Sequence, residues 1–254
     1  MFGRYRELLF YRAYAELTRD LKRAYLGILW WFIEPVLYMA VFYIVFGIGL
    51  RKGGPDFVVY LLTGLIVWKW LDGTVKSSSS VISSSVGLMN HVYLPKILLP
   101  GMVVVVNTYK LITVLIIFLV FLVFVWGIPA THYWQCLPLL LLLQFILICG
   151  MAGMAAAVVP IIPDLKYVVD YGMTLAFFMS GIFFDIHDVT PEIQRWLMLN
   201  PMVVLIESYR DILLYARWPD WHALLIVCYE AVAMFAVMLV LLFKLDRYYP
   251  RVVG

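Results

Sequence analysis

The sequence predicts an all-α protein that crosses a membrane several times. Of its 254 residues, 65% are hydrophobic and only 14% are charged, and the mean hydropathy is +0.94. A soluble domain has about 25% charged residues, so this chain has too few charges to cover a water-exposed surface. Several apolar runs also reach about 20 residues, the length a helix needs to cross a bilayer. These features exclude a soluble enzyme, a disordered regulator and a secreted disulfide-linked protein.

Six membrane spans are predicted after an amphipathic helix. Residues 1–27 form that helix, since Phe10, Tyr14, Leu17 and Leu21 recur at helical spacing with arginines opposite them. Such a helix lies in the membrane interface as an anchor, or it packs against a cytosolic partner as well. The spans follow at residues 28–50, 57–71, 102–126, 137–159, 167–184 and 224–243. The second span continues past residue 71 through Gly, Lys and Ser, and the fifth is short.

Basic residues near the span ends predict the orientation of the chain. The segments expected in the cytoplasm hold eleven Lys and Arg residues, whereas the outer segments hold five. Six spans also return the chain to the side on which it starts, so both termini are expected in the cytoplasm. The whole of 1–254 is then one transmembrane domain. It is divided into an interface helix (1–27), spans one to five (28–184), an outer re-entrant loop (185–221), and span six with a cytoplasmic tail (222–254).

Six charged residues fall inside the predicted helices of the membrane. They are Glu34, Lys69, Asp72, Lys110, Asp170 and Glu230. Charges in hydrocarbon are costly and usually face a protein interior or an aqueous path, although a single one can also reach the interface or pair structurally. Lys69 and Asp72 are three residues apart, so they could pair on one helix face.

The segment between spans two and three has an unusual composition. Seven of the nine residues 77–85 are serine, whose hydroxyls can bond back to the helix backbone. A short, largely apolar stretch follows on the cytoplasmic side. It needs a partner surface to cover it, unless it folds back onto its own helices. We call this stretch the coupling loop, and its assigned residues are Leu88, Met89, Asn90, His91, Val92, Tyr93 and Lys96.

The outer segment 185–221 is too long for a plain turn. It contains an apolar stretch that is broken at Asn200-Pro201, which favours two half-helices that enter the outer leaflet. Re-entrant backbone is stable at that depth only when it is buried in protein or lines a cavity. This segment is therefore expected to form the outer mouth of a pathway.

Aromatic residues make up 17% of the chain and are dense in the first two spans. An aromatic ring can lie against the C–H face of a sugar, while Trp and Tyr also offer a polar group. Interface belts or core packing would explain any one of these residues equally well. The candidates for a substrate pathway are Trp30, Tyr38, Phe42, Tyr43, Tyr60 and Trp68.

No motif for covalent chemistry is found. The sequence has neither GxxxxGK[ST] nor HExxH, so the chain is not expected to hydrolyse ATP or to hold a catalytic metal. Residues 185–188 (DIHD) could ligate a metal, but they are expected to form a solvated loop because no second histidine lies near them. Cys136, Cys149 and Cys228 lack CxxC spacing and are interpreted as packing residues. We expect no catalytic residue, no metal ligand and no nucleic-acid partner.

Several short segments, in this order along the chain, resemble ABC type-2 export permeases. They are 21–30 (LKRAYLGILW) with Glu34-Pro35, 90–96 (NHVYLPK) with Leu99-Pro100, Asp164, and Asn200-Pro201 with Arg210. Within that family the chain is most similar to permeases for lipid-linked polysaccharide, of O-antigen or capsule type. Residues 68–72 (WKWLD) depart from the family pattern because they are more charged.

The resemblance implies an architecture and a set of partners. Such permeases are homodimers of six-span subunits in the bacterial cytoplasmic (inner) membrane, in contact with membrane lipids. Two separately encoded ATPase subunits bind ATP and Mg²⁺ and contact the first cytosolic loop, so this chain needs no cofactor of its own. The substrate implied is a lipid-linked glycan. Teichoic acid, a drug or another lipid remains an alternative, and a glycolipid-processing membrane enzyme is a remoter one.

Overall fold

The structure, a computed structural model, describes residues 11–19, 22, 25–49, 54, 56–85 and 95–245. Within these residues all regular secondary structure is helical and no strand is present, in agreement with the predicted fold class. The helices are α1 (11–19), α2 (Leu29–Phe42), α3 (Phe57–Ser84), α4 (Leu98–Phe124), α5 (Leu137–Val158), α6 (Leu165–Phe178), α7 (Pro191–Leu197), α8 (Pro201–Leu213) and α9 (Trp221–Leu245). A π-helical segment, Tyr43–Gly49, continues α2, and 3₁₀ turns lie at His132–Cys136 and Ile186–Asp188.

Five stretches of helix in the described residues are long and apolar enough to cross a membrane. They are Leu29–Gly49, Phe57–Ser84, Leu98–Phe124, His132–Val158 and Trp221–Leu245, which coincide with predicted spans one to four and six. The predicted fifth span (167–184) overlaps the 14-residue helix α6 (Leu165–Phe178), which is about 21 Å long. A hydrocarbon core is about 30 Å thick, which is more than the length of α6. A crossing by the predicted fifth span, which would bring the total to six, therefore stays a prediction.

Helix α3 is the centre of the bundle, since it is largely buried and contacts α2, α4, α5, α6 and α8. At 28 residues it is about 42 Å long, so it extends beyond the hydrocarbon core. Its last turns contain the serine run. The hydroxyl groups of Ser79 and Ser84 donate to the carbonyls of Lys76 and Val81 at 2.7 and 3.1 Å, which confirms the predicted back-bonding.

Helices α5 and α9 are in close contact through small residues. A Cβ atom added to Gly150 would lie 2.9 Å from backbone atoms of Met234 and Phe235. One added to Gly153 would clash with the side chain of Met238. Because glycine has no side chain, the two backbones approach each other directly at Gly150, and the side chain of Met238 lies against the backbone of α5 at Gly153.

Helix α2 lies at the edge of the bundle. Pro35 is the buried residue of this helix, whereas Leu29, Leu37 and Val41 are more than half exposed. Its contacts with the rest of the chain are made mainly to α3 and α4. The attachment of α2 therefore depends on the few side chains that face those helices.

Several predictions lie outside the described residues. They include Leu88, Met89, Asn90, His91, Val92 and Tyr93 of the coupling loop, residues 1–10 of the interface helix and residues 246–254 of the tail. Lys96 is described, and it is buried two residues before α4 begins. Helix α1 agrees with the central part of the predicted amphipathic helix.

Candidate functional site

The charged side chains of α2, α3 and α4 lie close together in the bundle. Nζ of Lys69 on α3 lies 2.6 Å from Oε1 of Glu34 on α2. Nζ of Lys76 lies 2.7 Å from Oδ1 of Asp72, one turn earlier on α3. The predicted pairing of Lys69 with Asp72 is therefore wrong. Each residue has a nearer partner, because α2 supplies a carboxylate to Lys69 and Lys76 stands at the favourable i,i+4 spacing from Asp72.

Aromatic rings lie next to two of these lysines. The ammonium of Lys69 lies over the ring of Tyr38, 4.6 Å from its centroid, and that of Lys110 on α4 lies over Trp31 at 5.5 Å. Ring faces attract cations, and the attraction is stronger where water is excluded. One cavity is lined by four of the six predicted charges, namely Glu34, Lys69, Asp72 and Lys110. The other two predicted charges, Asp170 on α6 and Glu230 on α9, are half-buried and do not line it.

An aromatic groove of about 220 Å³ lies between α2, α3 and α6. Its rings come from Tyr38 and Phe42 on α2, Trp68 on α3, and Phe177 and Phe178 on α6. The ring centroid of Phe177 is 6.0 Å from that of Phe42 and 5.8 Å from that of Trp68. The groove is also lined by Lys69, Asp72, Lys76, Met173 and Thr174. It therefore combines apolar ring faces with a charged border.

The structure divides the six aromatic pathway candidates between different places. Tyr38, Phe42 and Trp68 line the aromatic groove. Trp30 on α2 and Tyr43 in the π-helical segment are exposed outside it, and Tyr60 lies in a separate buried cluster. Sequence reasoning did not single out Phe177 or Phe183, whose ring lies 4.1 Å from that of Phe42. The four phenylalanines within 177–184 were the signal for them.

Arg210 on α8 is completely buried and connects α8 with α3 and with the chain that follows α6. Its Nη1 donates to the carbonyl of Gly181 at 2.9 Å and to Oε1 of Glu207 at 2.6 Å. Its Nη2 donates to the carbonyls of Ile182 at 3.1 Å and Tyr60 at 3.4 Å. The guanidinium carbon lies 3.3 Å from the ring centroid of Tyr60. We call these residues the arginine cluster.

Two glycines provide the space and the backbone conformation for the arginine cluster. Gly181 has a φ of +67°, which favours glycine because other residues rarely adopt it. A Cβ atom added to Gly64 on α3 would lie 3.2 Å from Nη2 of Arg210. The hydroxyl group of Tyr60 donates to the carbonyl of Phe184 at 2.9 Å, which adds another hydrogen bond to the segment 181–184. The end of the predicted fifth span is therefore held by tertiary contacts.

Helix α8 begins where the sequence predicted the break between half-helices. Oδ1 of Asn200 accepts the backbone N–H of Met202 at 3.0 Å, so Asn200 caps the helix. The hydroxyl group of Tyr209 donates to Oε1 of Gln144 on α5 at 3.0 Å, and Nε2 of Gln144 donates to the carbonyl of Val67 at 2.9 Å. Sequence reasoning missed Gln144, although a polar residue within an apolar span was a visible signal.

The turn after α8 is closed by an ion pair. Oδ1 of Asp211 lies 2.7 Å from Nη2 of Arg217. The hydrogen bond with this carboxylate raises the pKa of the Arg217 guanidinium, so Arg217 stays cationic.

In the described part of the chain, no group of three or more His, Cys, Asp or Glu side chains could hold a metal ion. The backbone N–H of His187 donates to Oδ1 of Asp185 at 2.9 Å in a short turn.

Comparison with known proteins gives the family of this chain. The profile of the family described as ABC-2 type transporter matches residues 8–214. The chain belongs to the ABC-2 type transporter family. It is therefore an integral membrane protein with a transport role, as the resemblance implied. The matched part of this ABC-2 transporter contains the aromatic groove and the arginine cluster.

Individual relatives of this ABC-2 transporter are similar over most of their length. The O-antigen export system permease protein RfbA of Myxococcus xanthus is 32% identical over 232 residues, which is 91% of this chain and 89% of RfbA. RfbA of Klebsiella pneumoniae is 28% identical over 204 residues, 77% of each chain. The polysialic acid transport protein KpsM of Escherichia coli is 28% identical over 214 residues, 81% of this chain and 79% of KpsM.

Proposed function

We propose that this chain is the transmembrane subunit of an exporter for a lipid-linked polysaccharide of O-antigen or capsule type. It would move this substrate outward across the bacterial cytoplasmic (inner) membrane. The supporting observation is that relatives named for O-antigen export and for polysialic acid transport align with 77–91% of this chain. The aromatic groove is compatible with a glycan, since ring faces pack against the C–H faces of sugars.

The proposal assigns the energy source to other subunits. The sequence has no GxxxxGK[ST] motif, so ATP and Mg²⁺ would be bound by two copies of a separately encoded ATPase. The ATPase would act on a homodimer of this chain, with both termini in the cytoplasm, through the coupling loop at 88–93 and Lys96. Movement of α2 away from α3 would then widen the aromatic groove. This chain would contribute binding and conformational change and no covalent chemistry.

Purification of the tagged chain from its native membrane tests the energy source. Mass spectrometry of material extracted in a mild detergent should find a P-loop ATPase in equal amount. A preparation that keeps other membrane complexes intact but contains no ATPase would contradict the proposal. It would favour the alternative of a glycolipid-processing membrane enzyme.

Deletion of the gene tests the substrate. Polysaccharide should disappear from the cell surface and its lipid-linked form should accumulate inside the cell. A control strain carrying the gene on a plasmid should recover both properties. Normal surface polysaccharide together with loss of teichoic acid, lipid or drug export would identify one of the alternative substrates.

Substitution of aromatic residues on the first span tests the path of the glycan. We propose that Trp30, Tyr38 and Tyr43 contact sugar, and Tyr38 has the clearest basis because it lines the aromatic groove. Tyr38→Ala should lower export more than Tyr171→Ala, a matched control whose ring on α6 is exposed outside the groove. Unchanged export after alanine replacement of all three proposed residues would contradict this path.

A further inference from the structure

A second cavity, of about 360 Å³, lies between α2, α3 and α4. It shares Lys69 and Asp72 with the aromatic groove. Small-molecule sites have volumes of about 300–1,000 Å³, so this cavity can hold a compact group such as one sugar ring. We call it the indole cavity, after Trp31 and Trp70 in its wall.

The indole cavity combines ring faces with hydrogen-bonding groups of both kinds. Two carboxylates, two ammonium groups, an amide and a hydroxyl belong to Glu34, Asp72, Lys69, Lys110, Asn107 and Ser77. The two ammonium groups balance the two carboxylates, so the cavity has no net positive charge to hold a phosphate, and this many polar groups suit a lipid tail poorly. A sugar ring matches both properties, since its C–H faces are apolar and its hydroxyl groups donate as well as accept.

Trp70 supplies a ring face to the cavity. Its side chain is buried, with 4% of the residue exposed, and it lines the indole cavity. Its indole nitrogen is enclosed by protein and does not open to the cavity. The ring of Trp70, and not its N–H, is therefore available to a ligand.

We infer that the indole cavity binds one sugar ring of the exported glycan. Its C–H faces pack against Trp31 and Trp70, and the ammonium of Lys69 donates to one hydroxyl oxygen. The carboxylates of Glu34 and Asp72 accept hydrogen bonds from other hydroxyls. This inference rests on the proposed function, and it adds a polar, orienting contact beside the aromatic groove.

Photo-cross-linking in cells that produce the polysaccharide tests the inference on the assembled exporter. Benzoylphenylalanine is introduced at Trp31 in the indole cavity, at Phe42 in the aromatic groove, or at Ile116, an exposed position on α4. After irradiation the chain is purified under denaturing conditions. Attached glycan is detected by periodate oxidation and hydrazide labelling, and attached lipid by mass spectrometry.

The three positions separate failure of this inference from failure of the proposed function. Glycan attached at positions 31 and 42 but not at 116 supports both. Glycan at position 42 alone, or phospholipid alone at position 31, overturns the indole cavity as a sugar site and leaves the exporter intact. Glycan at none of the three positions, in a strain with normal surface polysaccharide, overturns both.

Discussion

Replacement of Arg210 by methionine should strongly destabilise this transporter. Glu207 would lose an ion-pair partner at 2.6 Å, and the carbonyls of Gly181 and Ile182 would lose donors at 2.9 and 3.1 Å. Removal of one member of a buried pair costs about 3–5 kcal/mol, because the other charge stays buried without a partner. In a chain of this size each kcal/mol corresponds to about 2–4 °C, so the melting temperature should fall by about 10 °C.

Thermal unfolding of the purified protein in detergent measures this effect, with the folded fraction followed by size-exclusion chromatography. Arg195→Met on α7 is the matched control, since it removes the same charge from an exposed side chain and should change stability by less than about 0.5 kcal/mol. Arg210→Lys should fall between the two, because lysine keeps the charge but lacks the planar fork of donors. Equal melting temperatures for Arg210→Met and Arg195→Met would refute the reasoning.

Three further substitutions test other contacts. Gly150→Ala places a Cβ atom 2.9 Å from the backbone of α9 and should cost about 2 kcal/mol in thermal unfolding, whereas Gly172→Ala, with no atom within 4 Å, should not destabilise. Lys69→Met leaves Glu34 unpaired and should lower the yield of monodisperse protein. The double substitution Glu34→Lys with Lys69→Glu should restore the yield, and failure to do so would argue against the pair. Asn200→Ala removes the α8 cap and should lower the free energy of unfolding by about 1 kcal/mol. Equal melting temperatures for this variant and the unsubstituted protein would contradict this expectation.

The long helices could be predicted from local sequence alone. Residues 224–243, for example, were predicted as the last span and lie within Trp221–Leu245. In a bilayer every backbone N–H and C=O must be satisfied within the protein, and a continuous apolar run of about 20 residues does this as a helix, since a barrel strand needs only about 10. Neither the neighbouring helices nor the partners of the side chains are needed for this inference.

The end of α6 could not be predicted in this way. The apolar pattern continues to residue 184, but the helix ends at Phe178. Beyond that residue, Gly181 adopts a positive φ and its carbonyl accepts from Arg210, which is 29 residues away in the sequence. Hydropathy carries no information about a contact between residues so far apart.

The candidate site was predictable in its residue types but not in its pairs. Spacing along one helix placed Asp72 near Lys69, yet the partner of Lys69 is Glu34 on another helix. The aromatic groove shows the same limit, because Tyr38 and Trp68 were candidates whereas Phe177 from α6 was not. Periodicity shows which residues share a helix face, and packing decides which faces meet.

The direct contact between α5 and α9 has a mechanical consequence. At Gly150 and Gly153 the backbone of α5 rests against α9 with no room for a Cβ atom, so a displacement of either helix would disturb tight packing. Helix α2 is instead attached through the ion pair of Glu34 and the rings around Phe42, contacts that can break and re-form elsewhere. If an ATPase acts on the subunit as proposed, we expect the force to displace α2, while α5 and α9 form the frame that resists it.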